Sequence, residues 1–212
     1  MNKIAIIIPS RLNAQRFPNK PLKLINNKEM ILHVYDAAIK SNAGEVYVAT
    51  PDQKIVDTVK NSGGNAIKTS NNHETGTDRI FEVFKNTLNG EPNIIINLQG
   101  DMPNIDPQAI SDLINYMQEG KCDIGTLASA FSSDDELTNE NNVKVAVKEQ
   151  LITGKFSEAI DFFRVDPALF YSSFTGACTS AAISRGRAGP RFPQWSPCTR
   201  CPAQSPPRRA SR

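Results

Sequence analysis

The sequence has no apolar run close to the roughly 18 residues that a membrane-spanning helix requires. It contains neither the G-x-x-x-x-G-K-S/T loop of P-loop proteins nor a G-x-G-x-x-G turn after its first predicted strand, which disfavours a dinucleotide-binding dehydrogenase. Cysteines and histidines with the spacing of a zinc site are also absent. The first apolar stretch, residues 4–8, is ended by Pro9 too early for a secretory signal. We therefore expect a cytoplasmic protein without a membrane partner.

Acidic residues and lysines disappear near the end of the chain. Residues 1–173 hold 17 Lys+Arg against 22 Asp+Glu, whereas residues 174–212 hold 7 Arg and no acidic residue. Proline, serine and arginine crowd the last residues, which have too few apolar side chains to offset the entropy cost of ordering. We expect residues 1–173 to form one folded domain and residues 174–212 to be a disordered tail.

The tail also differs from the body in its coding. Its arginine, proline, alanine and glycine have GC-rich codons, whereas the body's lysine, asparagine and isoleucine have AT-rich codons, so we expect the tail to be frameshifted or foreign sequence. Reading codons 165 to 180 in all three frames tests this. Cys198 and Cys201 form a single C-x-x-C pair, which is weak evidence for zinc or redox chemistry. Arginine-rich chain can bind nucleic acid by counterion release, a rival function that deleting residues 174–212 would test, but we expect no nucleic-acid partner.

Short apolar runs alternate with segments of helical periodicity. The predicted strands are residues 4–8, 45–49, 66–68, 93–98, 124–130 and 143–147. Apolar residues recur at helical spacing in residues 30–39, 55–59, 80–88 and 110–117. This alternation predicts an α/β fold with a mostly parallel sheet and helices on both faces, which binds ligands at the carboxyl ends of its strands.

Three cations follow the first predicted strand. Residues 8–22 read I-P-S-R-L-N-A-Q-R-F-P-N-K-P-L and place Arg11, Arg16 and Lys20 where a strand end would meet a ligand crevice. Arginine and lysine stabilise charge on transferring phosphoryl groups, which makes this segment a candidate triphosphate site. The alternative is a solvated basic loop, since charged runs usually face water.

This segment resembles the opening pattern I-P-A/S-R-x-x-A/S-x-R-F/L-P-x-K-P-L of the 3-deoxy-manno-octulosonate (Kdo) cytidylyltransferases, also called CMP-Kdo synthetases. It resembles the CMP-sialic acid synthetases more loosely. H-E-T-G-T-D-R at residues 73–79 and N-L-Q-G-D-M-P at residues 97–103 resemble the family's H-x-S/T-G-T-E/D-R and N-V/L-Q-G-D-E-P, and N-V-K-V at residues 142–145 resembles a fourth block. The resemblance covers residues 1 to about 165 and implies a three-layer nucleotide-diphospho-sugar transferase (Rossmann-like) fold.

The second block is expected at the nucleoside end of the ligand. The resemblance implies that Thr75, Gly76, Thr77 and Arg79 contact the cytidine of CTP, and that Gln99 of the third block also binds the nucleotide. For Thr77 the alternative is the N-cap of a following helix, where threonine is favoured.

The third block offers the best metal ligand. Asp101 follows a buried strand, so its carboxylate is expected in the crevice that holds the phosphates, where Mg²⁺ takes one or two carboxylates together with phosphate oxygens. The alternative is a capping aspartate in a Gly-Asp turn. Met102 stands where the family usually has glutamate.

The resemblance implies that the anomeric hydroxyl of Kdo attacks the α-phosphorus of CTP and releases diphosphate, which supplies CMP-Kdo for lipopolysaccharide synthesis. Arg11, Arg16, Lys20 and Asp101 are the expected catalytic residues, with Mg²⁺ as cofactor. The family's later H-I/V/L-G-I/V/L-Y-x-Y-R, L-E-Q-L-R and V-D-T motifs, which line the sugar-acid pocket, complete the metal site and build a homodimer interface, are absent. The domain is therefore expected to be incomplete at its C-terminal side. Two alternatives stay open: a CMP-sugar synthetase of the sialic-acid type, and a catalytically dead CTP or phosphate binder.

Overall fold

The computed structural model describes residues 3–13, 17–120, 122–131, 133–149, 152, 155–164 and 177–185, without the side chains of residues 134, 137 and 177–185. Within these residues the strands are β1 (Ile4–Pro9), β2 (Leu24–Ile25), β3 (Lys28–Glu29), β4 (Glu45–Thr50), β5 (Ala66–Lys68), β6 (Ile94–Leu98), β7 (Ile124–Ala130), β8 (Lys144–Val147), β9 (Ala159–Phe163) and β10 (Ala177–Arg185). The helices are α1 (Met30–Lys40), α2 (Gln53–Asn61), α3 (Gly76–Asn86), α4 (Pro107–Gln118) and α5 (Asp134–Thr138), and a short 3-10 helix covers Lys20–Leu22.

The described chain is organised around an eight-stranded sheet in the order β5-β4-β1-β6-β10-β8-β9, with β7 also paired to β10. β1 is parallel to β4 and β6, and β4 is parallel to β5. β10 is antiparallel to β6, β7 and β8, and β9 is antiparallel to β8. It follows that β1, β4, β5, β6, β7 and β8 all run in one direction, while β9 and β10 run in the other. The predicted mostly parallel sheet is confirmed.

β1 lies inside the sheet because it is apolar on both faces. Ile6 and Ile8 belong to a core with α1, α2 and α4, while Ala5 and Ile7 belong to a second core with α3. None of these four side chains is more than 1% exposed. Fully burying one such isoleucine stabilises a fold by about 1.5–3 kcal/mol. The two cores confirm the predicted three-layer arrangement of helix, sheet and helix.

Strand β10 corrects the predicted domain boundary. The predicted tail starts at residue 174, yet residues 177–185 pair along β6 from Leu98 to Ile94 and along β7 from Ala130 to Ile124. The pairing is made by backbone groups, which must find hydrogen-bond partners whatever the side chains are. Composition alone therefore does not reveal it. Residues 186–212, with Cys198 and Cys201, lie outside the described residues.

The six predicted strands are confirmed as β1 and β4 to β8, and the four predicted helices as α1 to α4. Short elements were missed. β2 and β3 have only two residues each and are joined by Asn26 and Asn27, both at positive φ, as a tight hairpin turn requires. β9 is mostly apolar but exposed, with Ile160 and Phe162 at 59% and 46%. No helix among the described residues combines the length and hydrophobicity needed to cross a membrane.

Candidate nucleotide site

A cavity of about 340 Å³ opens where β1 and β6 end and α3 begins. This is the edge where mostly parallel sheets bind ligands, because the carboxyl ends of several strands meet there. The three sequence blocks at residues 8–22, 73–79 and 97–103 all contribute to it. The lining residues are Pro9, Ser10, Arg11, Lys20, Pro21, Met30, His73, Glu74, Thr75, Gly76, Arg79, Gln99, Gly100 and Asp101.

The chain leaving β1 is fixed by two backbone hydrogen bonds. Ser10 N donates to the Ala49 carbonyl at 2.9 Å, which continues the pairing of β1 with β4. Leu12 N donates to Asp52 Oδ2 at 2.8 Å. Because these bonds fix the residues on either side of Arg11, they hold the start of the loop at the cavity edge that Arg11 lines.

A chain reversal brings Lys20 back to the same cavity. Asn19 N donates to the Leu12 carbonyl at 3.1 Å, and Asn19 has a left-handed φ of 58°. Lys20 Nζ then donates to Asp101 Oδ2 at 2.8 Å, with the two side chains 37% and 55% exposed. The structure thus brings together two residues that the sequence places in one crevice. Arg16, the third predicted cation, lies outside the described residues.

Thr75 caps the helix that enters the site. Its Oγ1 accepts the N–H of Asp78 at 3.1 Å, and Asp78 Oδ2 accepts the backbone N–H of Thr75 at 3.1 Å and its hydroxyl at 2.6 Å, which completes a capping box. The N-cap alternative considered for Thr77 is therefore wrong, because α3 starts at Gly76 and Thr77 lies in its first turn. Thr77 is not among the described residues that line the cavity.

The Arg79 side chain is buried and hydrogen-bonded to the protein rather than extended into solvent. It is 4% exposed, and its Nη1 donates to Thr69 Oγ1 and, at 3.0 Å, to the Ser70 carbonyl. Burial lowers the pKa of the Arg79 guanidinium, the positive charge of Arg11 lowers it further, and two nearby carboxylates oppose the shift. The two guanidinium groups therefore make one side of the cavity electropositive, which favours an anionic ligand.

An ionisable pair, His73 and Glu82, stabilises the turn before α3. Glu82 lies on α3, and its Oε2 contacts His73 Nε2, while its two carboxylate oxygens accept the Ser70 N–H at 3.0 and 3.3 Å. Burial would raise the pKa of Glu82, but the hydrogen bonds from His73 and Ser70 and the charges of His73 and Arg79 bring it below its ordinary value. Glu82 thus accepts as a carboxylate and fixes His73 at the cavity wall.

Two glycines allow close packing around Pro9. A Cβ at Gly100 would lie 3.0 Å from the Pro9 carbonyl oxygen, and one at Gly76 would lie 3.2 Å from Pro9 Cγ. The end of β6 and the start of α3 can therefore both approach the end of β1. Beside Gly100, Gln99 also lines the cavity, and its Nε2 donates to Asn97 Oδ1 at 3.3 Å.

Asp101, the predicted metal ligand, lines the cavity. Among the described residues, no group of three or more His, Cys, Asp or Glu side chains could hold a metal ion. A single exposed carboxylate still fits Mg²⁺, which is usually bound by one or two carboxylates plus substrate phosphates. Met102 is not among the described residues that line the cavity; its carbonyl accepts the Ile105 N–H at 3.3 Å.

Several lining residues were not singled out from the sequence. All but one are neighbours of predicted residues within the three blocks, so proximity was the available signal; the exception, Met30, starts α1. They are Pro9, Ser10, Pro21, Met30, His73, Glu74 and Gly100. Ser10 is distinctive because its Oγ is buried and has no hydrogen-bond partner among the described residues.

Comparison with known proteins identifies the family. The family model described as cytidylyltransferase matches residues 5–198. A 3-deoxy-manno-octulosonate cytidylyltransferase of Thermodesulfovibrio yellowstonii is 45% identical over 145 residues, 66% of this chain and 57% of that protein. One of Christiangramia forsetii is 40% identical over 167 residues, 77% of this chain and 64% of that protein. The chain thus spans less than two thirds of the length of these curated relatives.

Solved structures give the same fold. The structure of CMP:2-keto-3-deoxy-manno-octonic acid synthetase complexed with CTP has a TM-score of 0.76 and 34% sequence identity, and covers 87% of this chain and 74% of its own. A 4-diphosphocytidyl-2C-methyl-D-erythritol synthase has a TM-score of 0.55 at 17% identity, covers 88% of this chain and 76% of its own, and supports the fold alone. The family match extends beyond residue 173, in agreement with the position of β10 in the sheet.

Proposed function

Since this chain belongs to the cytidylyltransferase family, we propose that it transfers the cytidylyl group of CTP to the anomeric hydroxyl of Kdo, giving CMP-Kdo and diphosphate. The names of the curated relatives support this substrate pair. The observation that carries the proposal is the contact of Lys20 with Asp101 in a cavity that Arg11 also lines. A cation and a carboxylate at one strand edge are what a nucleoside triphosphate and its metal ion require.

In the proposed reaction the hydroxyl oxygen of the sugar acid forms a bond to the α-phosphorus of CTP. The bond from that phosphorus to the oxygen bridging the β-phosphate breaks, diphosphate leaves with the electron pair, and the hydroxyl proton passes to solvent. Little covalent chemistry falls to the protein. Its contribution is to align the reactants and to neutralise charge that develops on the phosphates, which Arg11 and Lys20 are placed to do. Arg16 is proposed to join them.

The second block is proposed to receive the cytidine end. Gly76 is exposed at the start of α3 and lines the cavity together with Gln99, so a flat base can lie close to the main chain. The Thr75 hydroxyl is committed to Asp78, so Thr75 acts by fixing the start of the helix. Arg79 acts through its positive charge from a buried position.

Mg²⁺ is proposed as the cofactor, with Asp101 as its protein ligand. When bound with the triphosphate, the ion would neutralise phosphate charge and polarise the reacting phosphoryl group. The Lys20 ammonium is hydrogen-bonded to the same carboxylate, so it would lie close to a phosphate that shared the ion with Asp101. Lys20 is therefore the residue best placed to move from Asp101 to the departing diphosphate.

The proposal extends to location and assembly. We propose a cytoplasmic enzyme that acts in lipopolysaccharide synthesis; because the family's dimer-interface motifs are absent from this sequence, a homodimer would have to form through another surface. The exposed apolar side chains of Ile160 and Phe162 on β9 offer a surface for a second copy. Gel filtration with light scattering would test assembly.

A substrate panel tests the proposed activity. The purified full chain is incubated with CTP and Mg²⁺ and with Kdo, N-acetylneuraminate or no sugar acid, and diphosphate release is followed. Diphosphate release in the Kdo arm and in no other arm supports the proposal. Release with N-acetylneuraminate alone would move the chain to the sialic-acid type. CTP-dependent thermal stabilisation without release in any arm would identify a dead CTP binder.

A further inference from the structure

Ser10 carries a hydroxyl that the fold does not use. The residue follows β1 directly and is 8% exposed. Its Oγ is buried and finds no hydrogen-bond partner among the described residues. Because a buried hydroxyl without a partner costs free energy, native proteins rarely retain one, and each case requires a physical explanation.

The missing partner is most readily supplied from the cavity. Ser10 lines it, between Pro9 and Arg11, and its own N–H is already bonded to the Ala49 carbonyl. Pro9 is packed tightly between Gly76 and Gly100, so the protein on either side of the strand end leaves little freedom for rearrangement. A ligand that fills the cavity would lie against Ser10, and rotation about the Ser10 Cα–Cβ bond would bring the buried hydroxyl to it.

The surroundings of Ser10 suit an uncharged ligand atom. Of the neighbouring N–H groups that could serve a phosphate, those of Ser10 and Leu12 are occupied by the Ala49 carbonyl and by the Asp52 carboxylate. Asp52 also places a negative charge behind the loop, which offsets part of the positive charge that Arg11 brings beside Ser10. A neutral hydroxyl that can both donate and accept matches the polar edge of a nucleobase or a ribose.

We propose that Ser10 is a further nucleotide-binding residue, whose hydroxyl forms a hydrogen bond with an uncharged polar atom in the nucleoside half of CTP. This inference rests on the proposed function of the cavity as a CTP site. The role of Ser10 is then separate from that of Arg11, which neutralises phosphate charge.

Two serine variants test the proposal. Ser10→Ala removes the unpartnered hydroxyl. Ser41→Ala is the matched control, because Ser41 is also 8% exposed but its Oγ donates to the Ala38 carbonyl at 2.6 Å, away from the cavity. Calorimetric titration with CTP and with inorganic tripolyphosphate, and thermal unfolding without ligand, are measured for the full chain and both variants.

The expected pattern separates binding from folding. Ser10→Ala keeps the wild-type unfolding midpoint, weakens CTP binding by about two- to tenfold, as the loss of one neutral hydrogen bond does, and binds tripolyphosphate as before. Ser41→Ala lowers the midpoint and keeps the wild-type affinity for CTP. Unchanged CTP affinity in Ser10→Ala would overturn the inference while leaving the proposed function intact. Equal weakening of tripolyphosphate binding would also overturn it, by placing the contact on a phosphate. A wild-type chain that binds no CTP would overturn the proposed function itself.

Discussion

Lys20 Nζ donates a hydrogen bond to Asp101 Oδ2 at 2.8 Å, joining two residues that are 81 positions apart in the sequence. Both side chains are more than a third exposed, and exposed ion pairs add only about 0–1 kcal/mol to stability. The pair therefore contributes little to folding. In the proposed enzyme each partner has a second role, Asp101 toward Mg²⁺ and Lys20 toward the phosphates, so its variants should lose turnover while remaining folded.

Asp101→Asn is expected to abolish Mg²⁺-dependent diphosphate release, because it removes the carboxylate charge while keeping the shape of the side chain. Its unfolding midpoint should stay at the wild-type value, since the side chain is 55% exposed. Asp57→Asn on α2, an exposed aspartate bonded to Gln53, is the control and should keep wild-type release. Activity in Asp101→Asn close to that of the control would remove Asp101 from the mechanism.

Lys20→Ala is expected to lower kcat by about 10²–10³, the usual effect of removing one group that stabilises transition-state charge. Lys23→Ala is the matched control, because Lys23 lies three residues away and its Nζ sits 5.6 Å from the centre of the Phe17 ring instead of contacting Asp101. Steady-state kinetics with varied CTP measure both variants. Equal, small losses in the two would mean that Lys20 acts only as general positive charge.

How far the sequence could predict this fold depends on what holds each element in place. β1 is a continuous apolar run and β6 is interrupted only by Asn97, as expected for parallel strands buried on both faces, and both were predicted. β10 was not, because its place is fixed by backbone pairing with β6 and β7, and its sequence A-C-T-S-A-A-I-S-R shows no strict alternation.

The site was predictable to a similar degree. Parallel strands end at a common edge, so the convergence of the three blocks followed from their order along the chain. The sequence does indicate which threonine caps α3, because Thr75 has Asp78 three residues later, the spacing of a capping box, whereas Thr77 has Ile80 there. The unpartnered hydroxyl of Ser10 could not be predicted, since only the packing around it determines which partners are available.

Glu82→Gln is expected to make the unfolding midpoint depend less on pH under acidic conditions. The pKa of Glu82 is below its ordinary value of 4.5 because, although burial raises it, the hydrogen bonds from His73 and Ser70 and the charges of His73 and Arg79 together lower it by more. A carboxyl group whose pKa is lower in the folded than in the unfolded protein stabilises the fold at pH values above its unfolded pKa. This contribution is lost as the pH falls through its folded pKa. Thermal midpoints are measured between about pH 3 and 6.

The wild-type midpoint should fall more steeply below pH 4.5 than that of Glu82→Gln. Glu140→Gln is the control, because Glu140 is exposed in the turn after α5, and this variant should keep the wild-type slope. If the unfolding midpoint depends on pH equally in all three proteins, the contact between His73 and Glu82 does not determine the loss of stability at acid pH.

Ala182→Pro tests the position of β10. Ala182 is paired with Asn97 of β6 and with Thr126 of β7, so proline would remove an N–H from the interior of the sheet. The free energy of unfolding in urea should fall by about 1–3 kcal/mol, the cost of leaving a buried partner unsatisfied. Ala182→Ser, which keeps the N–H, should cost less. Wild-type stability of the proline variant would show that residues 177–185 do not belong to the sheet.

The proposal that this chain joins CTP to Kdo is tested most directly by ³¹P NMR of the full chain with CTP, Mg²⁺ and Kdo. The expected result is a new phosphodiester resonance from CMP-Kdo that grows together with the diphosphate signal, and that is absent without Kdo. A spectrum in which CTP remains unchanged, recorded under conditions where CTP raises the unfolding midpoint, would contradict the proposed transferase and leave a nucleotide-binding protein.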